Sequence, residues 1–211
     1  MDQRNRELRL GRFTASEIHK LMGKKFGHKL DDWTDTAQTY ILEKVSELYS
    51  EKMQEVTSRE MEWGLEWEPV GLSLYESTFG ETLEFPGFLI FPGNKECGCT
   101  PDGLVKGASR GIELKCPFTN RAHIEAFMIK NNDDLKCYKP AYYWQIMSSM
   151  LFTKMQSWDF VSFHPYFKDE YKLYSIEILP DTDAFSLLRE RIKAAVETRN
   201  AVMQEIKNNI K

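Results

Sequence analysis

Asp102, Glu113 and Lys115 are the residues of this chain whose types and spacing could do chemistry together. The segment from Gly98 to Val105 contains Pro101-Asp102-Gly103. It runs through Lys106-Gly107-Ala108-Ser109-Arg110-Gly111 into Ile112-Glu113-Leu114-Lys115-Cys116-Pro117. Glycines and a serine in the middle predict a turn, and the apolar-bearing flanks predict two short strands. Alternation along the second strand puts Glu113 and Lys115 on one face and Ile112, Leu114 and Cys116 on the other. Closing the hairpin brings Asp102 opposite Glu113. Two carboxylates and a cation on one sheet face can bind a divalent metal and activate water for attack on a phosphodiester. An isolated Glu-x-Lys is more often a solvated surface ion pair. The joint pattern with Pro-Asp-Gly favours the chemical reading.

Elements on either side must position these groups. Thr14 is placed to cap a first helix, with Glu17 as its capping-box partner and Ile18, Leu21 and Met22 as its apolar stripe. Helical periodicity continues from Thr36 to about Met53 and from Met61 to Phe79. The third of these helices carries Glu68, a carboxylate that could complete a metal shell, though a helix carboxylate alone is more often solvated. Strands are predicted at 82–85 and 88–91, then the hairpin. Helices follow at 123–130 and 140–155, strands at 158–163 and 171–178, and a long amphipathic helix from about Asp181 to Ile206. The order predicts an α/β fold, a central mixed β-sheet flanked by helices. Without linker or repeat, residues 1–211 read as a single domain.

Composition narrows the class. A hydrophobic content of 42% and a charged content of 28% describe an ordinary globular chain, and its apolar runs are too short to cross a bilayer. The charged start, Met1-Asp2-Gln3-Arg4, carries no signal-peptide core, and four cysteines at 97, 99, 116 and 137 form no disulfide framework. A reducing cytosol is the expected compartment. The cysteine spacing fits neither paired zinc ligation nor an iron–sulfur site, and the four histidines show no metal pattern. A net charge of −4 still permits nucleic acid if basic residues are concentrated locally. Arg4, Arg6, Arg9, Arg12, Lys20, Lys24, Lys25, His28 and Lys29 supply such a concentration. Gln145, among the aromatics Tyr142, Tyr143 and Trp144, needs a hydrogen-bond partner and could position water or metal ligands. Arg9, Ser16 and Thr100 offer a guanidinium and hydroxyls suited to a terminal phosphate, although the sequence does not place Thr100 beside Ser16.

These blocks, in this order, resemble the phage lambda exonuclease family, YqaJ-like viral recombinases of the PD-(D/E)xK nuclease superfamily. The resemblance rests on Leu8-Arg9-Leu10-Gly11 with Thr14-Ala15-Ser16-Glu17, on Trp63-Gly64 with Glu68, on Pro101-Asp102-Gly103-Leu104, on Glu113-Leu114-Lys115-Cys116-Pro117, and on Ala141-Tyr142 with Gln145. It implies a restriction-endonuclease-like PD-(D/E)xK core and a 5′→3′ exonuclease on double-stranded DNA ends. Such an enzyme would release mononucleotides and leave 3′ single-stranded tails for phage-type recombination in a bacterial host. It further implies Mg²⁺, two ions per site with Mn²⁺ as a substitute, held by Asp102, Glu113, the Leu114 carbonyl and Glu68. Lys115 becomes the catalytic lysine, Gln145 a support, Arg9, Ser16 and Thr100 the 5′-phosphate pocket, and Met61 the wedge at the DNA end. A homotrimeric ring and a single-strand annealing protein are the implied partners. Two features depart from the family: the loop around Phe26 lacks the arginine that the family places near the separating strand, and Met147, two after Gln145, stands in place of a second glutamine. Rival readings are a restriction-type endonuclease of the same fold, a non-catalytic DNA-end binder, and an iron–sulfur nuclease.

Overall fold

The computed structural model describes residues 3–51 and 57–210. Its elements are α1 (Gln3–Arg9), β1 (Phe13–Thr14), a 3-10 helix (Ala15–Leu21), α2 (Asp35–Tyr49), α3 (Arg59–Phe79), β2 (Leu83–Glu84), β3 (Leu89–Ile90), β4 (Cys97–Cys99), β5 (Gly103–Val105) and β6 (Arg110–Lys115). Then come α4 (Asn120–Ala126), α5 (Asn132–Tyr138), α6 (Pro140–Thr153), β7 (Ser157–Phe163), β8 (Leu173–Ile178) and α7 (Thr182–Asn209). Five strands form a mixed sheet in the order β2-β5-β6-β7-β8, and three form a smaller one, β1-β4-β3.

The large sheet bears out the predicted mixed α/β architecture. β6 and β7 run parallel at its centre, while β5–β6 and β7–β8 are antiparallel. Every residue of β7 is buried, the mark of a strand covered on both faces. Trp158, fully buried, lies against Gly111 of β6, where any Cβ would overlap its indole. On one face α6 packs with Tyr143, Ile146, Met147 and Met150 in the main core. On the other, α3 lays Leu72 and Tyr75 against Leu114, Val161 and Phe163. Close approach of α3 needs Gly71, since a Cβ there would meet the Leu114 side chain at 2.9 Å and Phe163 at 3.0 Å.

Several expectations need correction. The predicted capping box at Thr14 is absent: Thr14 Oγ1 pairs with Ser16 Oγ at 3.3 Å, Glu17 accepts from Lys20 at 2.6 Å, and the turn it opens is 3-10. The segment 98–105 is not one strand, because it leaves the small sheet after Cys99 and enters the large one at Gly103. α2 ends at Tyr49, and the predicted end at Met53 lies outside the described residues. α1 and α5 are additions to the predicted elements; both are short, polar helices, and α5 starts where the Asn131 side chain accepts from Asp134 N–H.

Candidate active site

The register Gly103↔Ile112 and Leu104↔Gly111, extended by one residue, sets Asp102 opposite Glu113 as alternation predicts. Asp102 Oδ2 accepts from the Leu114 backbone N–H at 2.8 Å, which fixes the carboxylate at the mouth of the hairpin. Glu113 is completely buried. Its Oε1 accepts from Lys115 Nζ at 2.5 Å and from Gln145 Nε2 at 2.5 Å, and Gln145 Oε1 accepts from Lys115 at 3.3 Å. The amide among the α6 aromatics therefore finds its partners in the hairpin. Tyr142, one turn earlier on the same face of α6, sets its ring 5.0 Å from Lys115 Nζ.

Electrostatics follow from burial. Burial, then the charge of Asp102, pushes Glu113 up to about 8 against the pull of Lys115. Burial likewise raises Asp102 and Glu68, and the charge of Asp102 adds to the rise of Glu68. Burial works against the Lys115 charge, but Glu113 and Asp102 outweigh it and hold the ammonium above the ordinary lysine range. The neighbouring Cys116 thiol is pushed up to about 12 by burial and by Glu68 and Asp102, so it stays protonated and unreactive.

Glu113 Oε2 is buried with no hydrogen-bond partner. An orphan carboxylate oxygen beside a second carboxylate is a hard-oxygen donor set that fits a divalent cation. Magnesium in particular is held by one or two carboxylates, with waters and substrate phosphates completing its shell. Among the described residues no group of three or more His, Cys, Asp or Glu side chains converges as a metal cluster. Cys97 and Cys99 are buried and Cys137 is exposed.

A cavity of about 410 Å³ brings the predicted phosphate residues to the predicted catalytic ones. Arg9, Ser16 and Thr100 line it together with Glu68, Asp102, Glu113, Lys115 and Gln145. The reason is a parallel pairing invisible in the sequence. β1 and β4 align Phe13 with Cys97 and Thr14 with Gly98; Ser16, in the first turn of the 3-10 helix, and Thr100, just past β4, each follow these paired ends by two residues. Asn5 and Thr14 also line this cavity and were missed; Thr14 Oγ1 lies 3.3 Å from Ser16 Oγ. Met61 is exposed on the first turn of α3, after Ser58 Oγ caps it, and lines a second cavity beyond Lys115. The basic run does not form one groove. Arg12 is spent on the Leu8 and Lys95 carbonyls, Lys20 on Glu17 and His28 on Glu197, while Lys24, Lys25 and Lys29 lie on the loop that follows the 3-10 helix.

With this geometry in place, the YqaJ-like viral recombinase domain matches residues 6–156. The chain belongs to that family. This viral-recombinase-type protein also resembles solved exonucleases along its whole length. The alkaline exonuclease LHK-Exo of Laribacter hongkongensis is 26% identical with a TM-score of 0.84, covering 99% of this chain and 98% of its own. The same enzyme in complex with dAMP gives 27% and 0.82, covering 96% and 94%. A phage-related exonuclease from Haemophilus somnus 129PT shares the fold at 18% identity and a TM-score of 0.73, over 92% and 96% of the two chains. Comparison with curated proteins gave no match. The recombinase-family chain is a nuclease of the lambda exonuclease family with a PD-(D/E)xK-like fold. No helix among its described residues is long and apolar enough to cross a membrane.

Proposed function

We propose that this chain, one nuclease domain over 1–211, is a Mg²⁺-dependent 5′→3′ exonuclease acting on double-stranded DNA ends. The observation that carries the reading is the shared cavity: Arg9, Ser16 and Thr100 open onto the same space as Asp102, Glu113 and Lys115. A guanidinium and two hydroxyls one nucleotide's reach from the cleavage groups suit a phosphate, and on a strand whose next bond is cut to release a mononucleotide that phosphate is the terminal 5′ one.

Water attacks the phosphorus between the first and second nucleotides, the bond to the 3′ oxygen breaks, and that oxygen leaves with a proton. The products are a 5′-mononucleotide and a strand with a new 5′-phosphate. Asp102, Glu113, the Leu114 carbonyl and Glu68 would hold one or two Mg²⁺, or Mn²⁺ in their place; the bound metal lowers the pKa of the water and stabilises the leaving oxygen. Lys115, kept charged by its two carboxylates, orients the water and stabilises charge on the phosphate rather than removing a proton. Gln145 fixes the Lys115–Glu113 pair in register. Arg9, Ser16 and Thr100 hold the end phosphate and so choose which bond is presented. Met61 parts the terminal base pairs. A homotrimeric ring, with basic residues inward on an otherwise acidic chain, keeps the enzyme on its track, and a single-strand annealing protein in the bacterial cytoplasm receives the 3′ tail.

Digestion of a linear duplex labelled at one end tests this, with and without 5′-phosphate and Mg²⁺. Labelled mononucleotide should appear from the 5′-phosphorylated end only with metal. Release from the 3′ end, or cutting of a covalently closed circle, would overturn the reading.

A further inference from the structure

A second cavity, of about 610 Å³, opens on the other side of Lys115, within the ~300–1,000 Å³ typical of small-ligand sites. It shares Glu68, Leu114 and Lys115 with the phosphate-lined cavity, so the two meet at the cleavage groups. Their chemistry differs. The first is walled by a guanidinium and hydroxyls, the second chiefly by Met61, Pro117, Phe118, Tyr142 and Phe160.

These apolar walls are braced from behind. Trp63 donates its indole N–H to the Pro117 carbonyl at 3.1 Å and meets the Phe118 ring edge-on at 5.7 Å. Tyr142 stacks on Phe160 with ring centres 5.9 Å apart and planes 30° from parallel. At Gly64, on the α3 wall, a Cβ would meet nothing within 4 Å, so the space beside it is open. The rim carries Lys139, which is paired with Glu125 at 2.9 Å, and the carboxylate of Glu60. Tyr142 already holds Lys115 Nζ 5.0 Å from its ring, and Phe160 is buried beneath it. The open apolar surface is that of Phe118 and Met61, 46% and 53% exposed, which suits a flat, weakly polar aromatic group better than a phosphate.

We propose that this cavity is the subsite for the base and sugar of the second nucleotide of the strand being cut. The assignment rests on the exonuclease reading above. With the terminal phosphate beside Arg9, Ser16 and Thr100, and the scissile phosphate at Lys115, the first nucleotide lies on the polar side. The second must then lie across Lys115, in the space bounded by these rings. Stacking accepts any of the four bases, as an enzyme digesting arbitrary ends requires. After each cut the stacked nucleotide carries the new 5′-phosphate and moves past Lys115 into the first cavity.

The test is the rate of the first cut on 5′-phosphorylated linear duplexes with one abasic residue placed at position one, at position two, or opposite position two. Loss of the second base should slow the first cut roughly 5- to 100-fold, the range for one base–aromatic stack. The complementary-strand lesion, which frays the same pair but leaves the base, should not slow it. Phe118→Ala should slow cutting of the intact duplex, yet add little to the position-two lesion, because the ring and the base would be one contact. A position-two lesion cut at the normal rate, or effects of lesion and variant that multiply, would overturn the subsite while end digestion of intact duplex persists. Failure of the intact duplex to be digested from its 5′ ends would overturn both this assignment and the reading beneath it.

Discussion

Replacing Glu113 by glutamine should reverse the order of stability of the two metal-free proteins between pH 5 and pH 8. The wild-type carboxyl is wholly buried, its ionisation moved from 4.5 to about 8 by burial and by Asp102. An acid with a raised folded-state pKa favours the folded state while protonated, and that contribution fades as pH climbs from 4.5 toward 8. At about 1.36 kcal/mol per pH unit, the loss between pH 5 and pH 8 is roughly 3–4 kcal/mol. Lys115 is shifted upward too, but its contribution is fully present below the ordinary lysine value and stays constant across this window. The E113Q protein lacks the Glu113 part of this slope, while the raised Asp102 and Glu68 carboxyls act in both proteins. Its new amide oxygen can accept from Lys115 and Gln145, but the NH₂ falls where Oε2 now has no partner, at a cost of about 1–3 kcal/mol. Wild type should therefore be the more stable at pH 5 and the less stable at pH 8, the difference in Tm changing by roughly 10 °C for a chain of this size. Thermal denaturation in chelator across pH 5–8 reads this directly. Millimolar Mg²⁺ at pH 8 should raise the Tm of wild type and leave E113Q unmoved. Tm–pH curves that run parallel for the two proteins would refute the account of Glu113.

Other outcomes are equally definite. Lys115→Ala should cut the rate of hydrolysis by at least about 10²–10³-fold, the scale for losing one donor at a developing charge, while gel-shift affinity for DNA ends in Ca²⁺ stays within a few-fold; normal turnover would remove Lys115 from the chemistry. Arg9→Ala should abolish the rate ratio between 5′-phosphorylated and 5′-hydroxyl ends, measured in parallel digests. Gly71→Ala should destabilise the fold by about 1–3 kcal/mol, since its methyl group would press on Leu114 and Phe163, and denaturant melts should show a lowered midpoint with unchanged slope.

The hairpin that carries Asp102, Glu113 and Lys115 was legible because its information is local. Period-two alternation and a glycine-rich turn set the Asp102–Glu113 register within a dozen residues, and the backbone follows it. Gln145 was legible as a polar side chain in need of partners, but not which partners, since these lie 30 or more residues away on another element. Ser16 beside Thr100 was illegible, because β1 and β4 are two- and three-residue strands whose pairing spans 84 residues. The basic N-terminal run misled for a related reason. Composition counts charges but not the carbonyls and carboxylates that tertiary structure brings to them, so Arg12 and Lys20 counted as available when they are engaged.

Where the chain crosses from the small sheet to the large one, between Cys99 and Gly103, it carries Thr100 and Asp102 two residues apart. On their proposed roles, that crossing is a ruler. The grip on the strand's end and the blade sit on one short covalent span of about 7 Å at most, anchored at either side by a different sheet. Arg9 on α1 and Ser16 on the 3-10 helix close on this span from other elements, but Thr100 ties their phosphate to the blade at a fixed reach. The unit of digestion would then be written into the backbone itself, and lengthening this crossing by a single residue should change the size of the fragment released before it changes the chemistry that releases it.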